Sequence, residues 1–143
     1  MANIFDTARY ILETQGNMST MKLQKLCYYC QAWSLVWDDS PLFDEDFQAW
    51  ANGPVCRELF CQTQGKFSVS ADDEPGSSDN LTDEQKDTIK TVLEHYAPHD
   101  AQWLSQLTHL EHPWNEARIG VPMGASCDNV ITKESMGLYY GGL

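Results

Sequence analysis

Residues 21–60 read MKLQKLCYYCQAWSLVWDDSPLFDEDFQAWANGPVCRELF, and this stretch decides the fold. Its first half sets Leu23, Leu26, Cys27, Cys30, Trp33 and Trp37 at helical spacing, with Tyr28 and Tyr29 widening the stripe. A helix that is apolar on most sides is either buried at the centre of a domain or offers a second face to a partner. Ser19 or Thr20 can cap its start by accepting a backbone N–H. Asp38-Asp39-Ser40-Pro41 ends it in a turn. In the second half Phe43, Phe47 and Trp50 stand among acidic residues, which predicts one short strand or extended segment within 42–51. Asn52-Gly53-Pro54 then turns the chain. Pro54 suits the first position of a helix that reaches about Gln64 and buries Val55, Leu59 and Phe60.

Outward from this stretch the pattern stays helical. Ile4, Phe5, Ala8, Ile11 and Leu12 predict a helix over 3–15, stopped by Gly16 and Asn17. Residues 65–80, GKFSVSADDEPGSSDN, are polar and acidic and are expected to form a flexible loop or open hairpin tip with a short strand near 66–70. Thr82 and Gln85 make a capping box for a helix that ends before Pro98. Asp100 caps the next helix, which should bury Trp103, Leu104 and Leu107 and close ahead of Pro113. A short turn, WNEAR, and a glycine-rich loop at 120–124 follow. Thr132 caps a last helix carrying Met136, Tyr139 and Tyr140. The expected fold is mainly α (α+β): a single compact domain over 1–143, with about five or six helices and a small β hairpin or short strands near 43–51 and 66–70.

At 143 residues, with 42% apolar and 11% aromatic side chains, the chain can bury a core, so whole-chain disorder is excluded. The net charge is −12, and residues 67–143 hold 13 of the 21 acidic groups. That balance repels nucleic acid and anionic membranes, and neither is expected as a direct partner. Asp6 and Arg9 interrupt any leader-like apolar run, and no stretch has the roughly 18 apolar residues of a membrane span. Five cysteines cannot all pair within one chain. A cytoplasmic protein with reduced thiols is expected.

Few residues assemble into catalytic patterns. Cys27 and Cys30 have CxxC spacing but lie inside a helix, where positions i and i+3 share the core face. With His109 and His112 they could complete a Cys₂His₂ zinc set, although nothing in the spacing enforces closure. His95 and His99 are separated by the break at Pro98. GxSxG, GxGxxG and GxxxxGK[ST] are all absent. Asp44, Glu45 and Asp46, like the seven carboxylates between Asp72 and Asp87, read as solvated faces or as a lure for a basic partner. The aromatic excess is more telling: five tryptophans and six tyrosines. Trp114 follows Pro113 with Arg118 one helical turn away, which fits either an interface anchor or an internal cation–π clasp.

Taken together, the strings MKLQKLCYYCQAW (21–33), PLFDEDFQAW (41–50) and GPVCRELF (53–60) resemble the signature of the Panacea domain, the SocA-like "phage-associated protein" family often found in prophages beside toxin genes. LTHLEHPWNEAR (107–118) is similar to the family's second block, and Ile131-Thr132 through Tyr139-Tyr140 to its closing one. The resemblance implies an antitoxin that binds a cognate toxin directly and, in the SocA type, delivers it to an AAA+ protease. Because no catalytic constellation is complete, neutralisation by stoichiometric binding is expected, with no enzymatic activity and no cofactor. Some members carry a further DNA-binding domain, for which 143 residues are expected to leave no room. The 65–80 loop is longer and more acidic than the family pattern and is a candidate partner-specific surface.

Six signature positions are least explained by helix periodicity and are the expected partner contacts: Trp50, Gly53, Pro54, His109, Trp114 and Arg118. Gly53 and Pro54 also read simply as turn and helix start. The toxin is expected to present a basic surface, and self-association stays open. On this reading Arg118→Ala abolishes neutralisation and leaves the fold intact. Two other readings remain: a Cys/His zinc-dependent hydrolase, and an acidic phage accessory protein that inhibits a host nucleic-acid enzyme.

Overall fold

The computed structural model describes residues 2–143. Its axis is the helix α2 (Thr20–Trp37), preceded by α1 (Ile4–Gln15) and the short strand β1 (Met18–Ser19). Asn3 and Ser19 cap the two helices by accepting the N–H groups of Asp6 and Lys22. α2 buries nearly every side chain from Leu23 to Ala32, apolar or not. Two glutamines one heptad apart use this. Gln31 donates to the Phe43 carbonyl (2.9 Å) and accepts from the Leu42 N–H (2.8 Å). Gln24 does the same for both backbone groups of Cys56 (3.1 and 2.8 Å). Each amide satisfies backbone that would otherwise be buried unpaired, so α2 pins the two ends of the segment 42–56.

Between those pins lies an antiparallel hairpin of β2 (Phe47–Trp50) and β3 (Gly53–Val55), in the register Trp50↔Gly53, Ala49↔Pro54 and Gln48↔Val55. Pro54 is therefore a strand residue and not the start of a helix. It lies on an edge strand, where a missing N–H does no harm, and the helix α3 begins only at Arg57 (Arg57–Gln62). Phe60 on α3 stays 36% exposed instead of buried.

β4 (Ser68–Val69) pairs with β1, and two single 3₁₀ turns follow at Ala71–Asp73 and Ser78–Asn80. The second half of this acidic stretch lies against α1. The Ser77 N–H and the Asn80 amide donate to Asp6 (2.8 and 3.2 Å). Gly76 sits so close to α1 that a Cβ there would fall 2.4 Å from the Phe5 carbonyl carbon. Glu74 is buried beside it, with neither carboxylate oxygen hydrogen-bonded, and burial pushes its pKa up to about 7. The folded state therefore holds a proton that the unfolded chain releases near 4.5, and this stability is lost as pH rises to 7. Glu74→Gln should be more stable than the parent above pH 7, by at most about 3 kcal/mol, and indistinguishable below pH 4.5. Urea unfolding at pH 4 and pH 8 reads the difference.

The rest is helical: α4 (Asp83–Tyr96), α5 (Ala101–His109), α6 (His112–Ala117) and α7 (Lys133–Gly141), with β5 (Val130–Ile131) adding to the outer edge of β2. The capping box of Thr82 with Gln85 forms, and Asp100 and Thr132 also cap. α1, α4, α5 and α7 all pack on α2. The described residues thus hold seven α-helices with a little strand, a mainly α domain. The seventh is α6, because the WNEAR stretch is helical: Pro113 stands in the first turn of a new helix, where its ring fits. Trp103 points outward, 42% exposed, and stacks on His99 at 3.5 Å. Among the described residues, no helix is long and apolar enough to cross a membrane.

Candidate functional site

The β2–β3 hairpin gathers all six signature residues. Trp114 on α6 is buried (1% exposed), and its indole N–H donates to the Trp50 carbonyl at 2.9 Å. The His109 ring stacks on it at 4.0 Å, and the Arg118 guanidinium stands 5.0 Å from its ring centre. Arg118 is itself buried. Its guanidinium donates to the carbonyls of Ala49 (2.8 Å), Pro122 (3.2 Å) and Ala125 (2.7 Å), tying β2 to the glycine-rich loop. Gly53 and Pro54 are buried as well, while Trp50 and His109 are half-buried.

This placement changes the reading of Arg118. With its fork engaged by three backbone carbonyls, Arg118 has little left to offer a partner. Its removal should damage the fold, contrary to the expectation from sequence. The internal clasp is the form that the Trp114–Arg118 pair takes.

What the hairpin does expose is one wall of a cleft of about 680 Å³. Trp50 and Gln48 stand on this wall, and Trp50 meets Phe60 of α3 edge-to-face at 4.8 Å; Met21, Arg57 and Asp128 line other parts of the cleft. Trp50 is held by its indole N–H, which donates to Gln48 Oε1 at 2.8 Å. Apolar side chains also project from residues next to the buried knot: Leu110 beside His109, Ile119 beside Arg118, and Met123 in the loop that Arg118 holds, each about 80% exposed.

Beneath the hairpin lies a residue that periodicity did not single out. Lys25 is fully buried, and burial lowers its pKa to about 8. Gly53, at φ +118°, is packed against it; a Cβ there would stand 2.7 Å from Lys25 Cε. Burial first, then the positive charges of Lys25 and Arg118, lowers the pKa of His109. A second buried polar centre lies one turn further along α2, since Tyr29 stands four residues after Lys25 on the same helix face. The hydroxyls of Tyr29 and Tyr140 donate to one oxygen of Glu111 (2.6 and 2.8 Å), with Tyr28 3.2 Å from Tyr140. Burial raises the Glu111 pKa against the opposing pull of those two bonds. The sequence signal for Gln24, Lys25 and Gln31 was available: polar residues trapped in a helix that is apolar on most sides must be answered from within the core.

The zinc set does not assemble. Cys27 and Cys30 face the core as free thiols, both with pKa values raised chiefly by burial. His109 stacks on Trp114, and His112 is exposed and 3.0 Å from Glu116. Among the described residues, no three His, Cys, Asp or Glu side chains are grouped to hold a metal.

A central helix that pins a hairpin, backed by an aromatic and cationic knot, defines the class: a small helical domain whose distinctive residues organise a surface. The antitoxin SocA-like, Panacea domain family matches residues 23–115, which are 93 of the 143 residues, and the chain belongs to that family. No curated protein and no solved structure matches it.

Proposed function

We propose that the chain is the antitoxin of a prophage-type toxin–antitoxin pair and neutralises its toxin by stoichiometric protein–protein binding, without turnover. The binding face is the rim of the hairpin cleft. Trp50, Phe60 and the edge of His109 meet the toxin, with Leu110, Ile119 and Met123 around them. Gly53, Pro54, Trp114 and Arg118 hold that face in shape from beneath. Family membership supports the antitoxin role. The single observation that carries the choice of face is the Trp50–Phe60 pair at the cleft, since partly buried aromatic anchors dominate the energetics of protein interfaces. The charge of −12 adds long-range attraction for a toxin with a basic surface.

The test is co-purification with the product of the adjacent open reading frame. A complex that survives 0.5 M salt is expected, because an aromatic-anchored interface resists screening. A complex that dissociates fully above about 0.3 M salt would instead indicate attraction by charge alone.

A further inference from the structure

Among the described residues, two buried polar atoms at the heart of the hairpin site have no hydrogen-bond partner: Lys25 Nζ and His109 Nε2. They belong to residues 84 positions apart, on α2 and at the end of α5: Lys25 packs under Gly53, His109 stacks on Trp114, and the two are near enough for the charge of Lys25 to act on His109. The surroundings of Lys25 supply no counter-charge. The only cause of its lowered pKa is burial, and the charges that act on His109 are those of Lys25 and Arg118, both positive. Thr108 Oγ1 lies 3.1 Å from the place of a Gly53 Cβ but already donates to the Ser105 carbonyl. The Arg118 guanidinium is engaged by backbone. At neutral pH Lys25 still carries its proton, so a chain with 21 acidic groups encloses an ammonium on which, among the described residues, no carboxylate acts.

An unpaired buried ammonium is among the most unfavourable arrangements in a protein interior. A methionine of similar length would fill the same space without that penalty. The penalty is removed if the position receives negatively charged oxygen. Lys25 Nζ offers three donors, and the neutral imidazole of His109 offers a fourth in the tautomer that carries its proton on Nε2.

We propose that Lys25 and His109 form a receptor for an oxyanion, a carboxylate or phosphate oxygen seated beneath the Asn52–Gly53 turn. Entry is from the side of Asn52, which is exposed, and His109, which is half-buried. Gly53 is the residue that lets this turn come down onto the lysine, since any side chain there would strike Lys25 Cε. The oxygen can come from a free small anion or from a carboxylate on the bound partner. The site does not depend on the antitoxin reading, because it is defined by two donors and the absence of an acceptor.

The experiment is a ¹³Cε/¹⁵Nζ lysine NMR titration of the full chain, in chloride, in acetate and in inorganic phosphate at equal ionic strength, and in the complex with the adjacent gene product. Lys22, whose ammonium already donates to the Ala97 carbonyl at 2.7 Å, is the internal reference and should not move. In chloride Lys25 should titrate near 8. An oxyanion should raise that pKa by one unit or more, equivalent to at least tenfold tighter binding by the charged form. A saturable rise with acetate or phosphate identifies a free small anion. A rise only in the complex identifies a partner carboxylate. No rise under any of these conditions overturns the proposal, as does a rise that Lys22 shares. Lys25→Met should fold, match or exceed the parent in stability in chloride, and gain no thermal stabilisation from either anion. If Lys25→Met is stabilised by acetate or phosphate as much as the parent is, the assignment to Lys25 is wrong.

Discussion

Arg118→Ala should lower the stability of the domain by about 3–5 kcal/mol, because it leaves three carbonyl groups without their charged donor and removes the cation from beside Trp114. For a chain of this length that corresponds to a fall in melting temperature on the order of 10 °C. Loss of neutralisation should follow from loss of shape and not from loss of a contact. Arg118→Lys should recover only part of the stability, since an ammonium cannot reproduce a planar fork that reaches β2 and two points of the 118–125 loop. Thermal melting of the three proteins decides it. An unchanged melting temperature in Arg118→Ala, with neutralisation lost, would return Arg118 to the surface as a direct contact.

The second large effect is on binding. Trp50→Ala should weaken the toxin complex by about 2–4 kcal/mol, roughly 30- to 1,000-fold in Kd. The expected loss of stability is smaller, because Trp50 is half-buried and its ring bonds only Gln48. Trp37 is the matched control. It is 49% exposed and stacks on Trp33 at the far end of α2, about 24 Å along the helix from Met21 at the cleft. Trp37→Ala should leave Kd within a factor of two. Calorimetry of both variants against the toxin separates a local anchor from a general response to losing a tryptophan. Equal losses from the two would place the interface elsewhere.

Much of the architecture was legible in local chemistry. The apolar breadth of α2, the caps at Ser19, Thr82, Asp100 and Thr132, and the stop at Gly16 are all decided by residues within a turn or two of one another. The differences arise where distant partners decide. Pro54 suits a helix start equally well as an edge strand, and only Ala49 across the hairpin chooses. Pro113 closes one helix and opens another, and the sequence rule sees only the closing.

The site shows the same division. Its members could be picked out because helix periodicity had no use for them. Their depth could not, because Trp114 and Arg118 are buried by a hairpin that lies 64 and 69 residues earlier in the chain and by an irregular loop that no helical register describes. Lys25 and Gln24 were overlooked for the opposite reason. Each looks like an ordinary polar residue of a helix, and it is the burial of α2 on nearly all sides that makes them consequential.

On the proposed function, the folded chain occupies its toxin in a fixed ratio and converts nothing. Titrating purified protein into a fixed amount of active toxin, with residual toxicity as the readout, tests it directly. The expected result is a linear fall that ends at a fixed small-integer ratio and stays there however long the mixture stands. Complete neutralisation at a few hundredths of an equivalent, deepening with time, would contradict it.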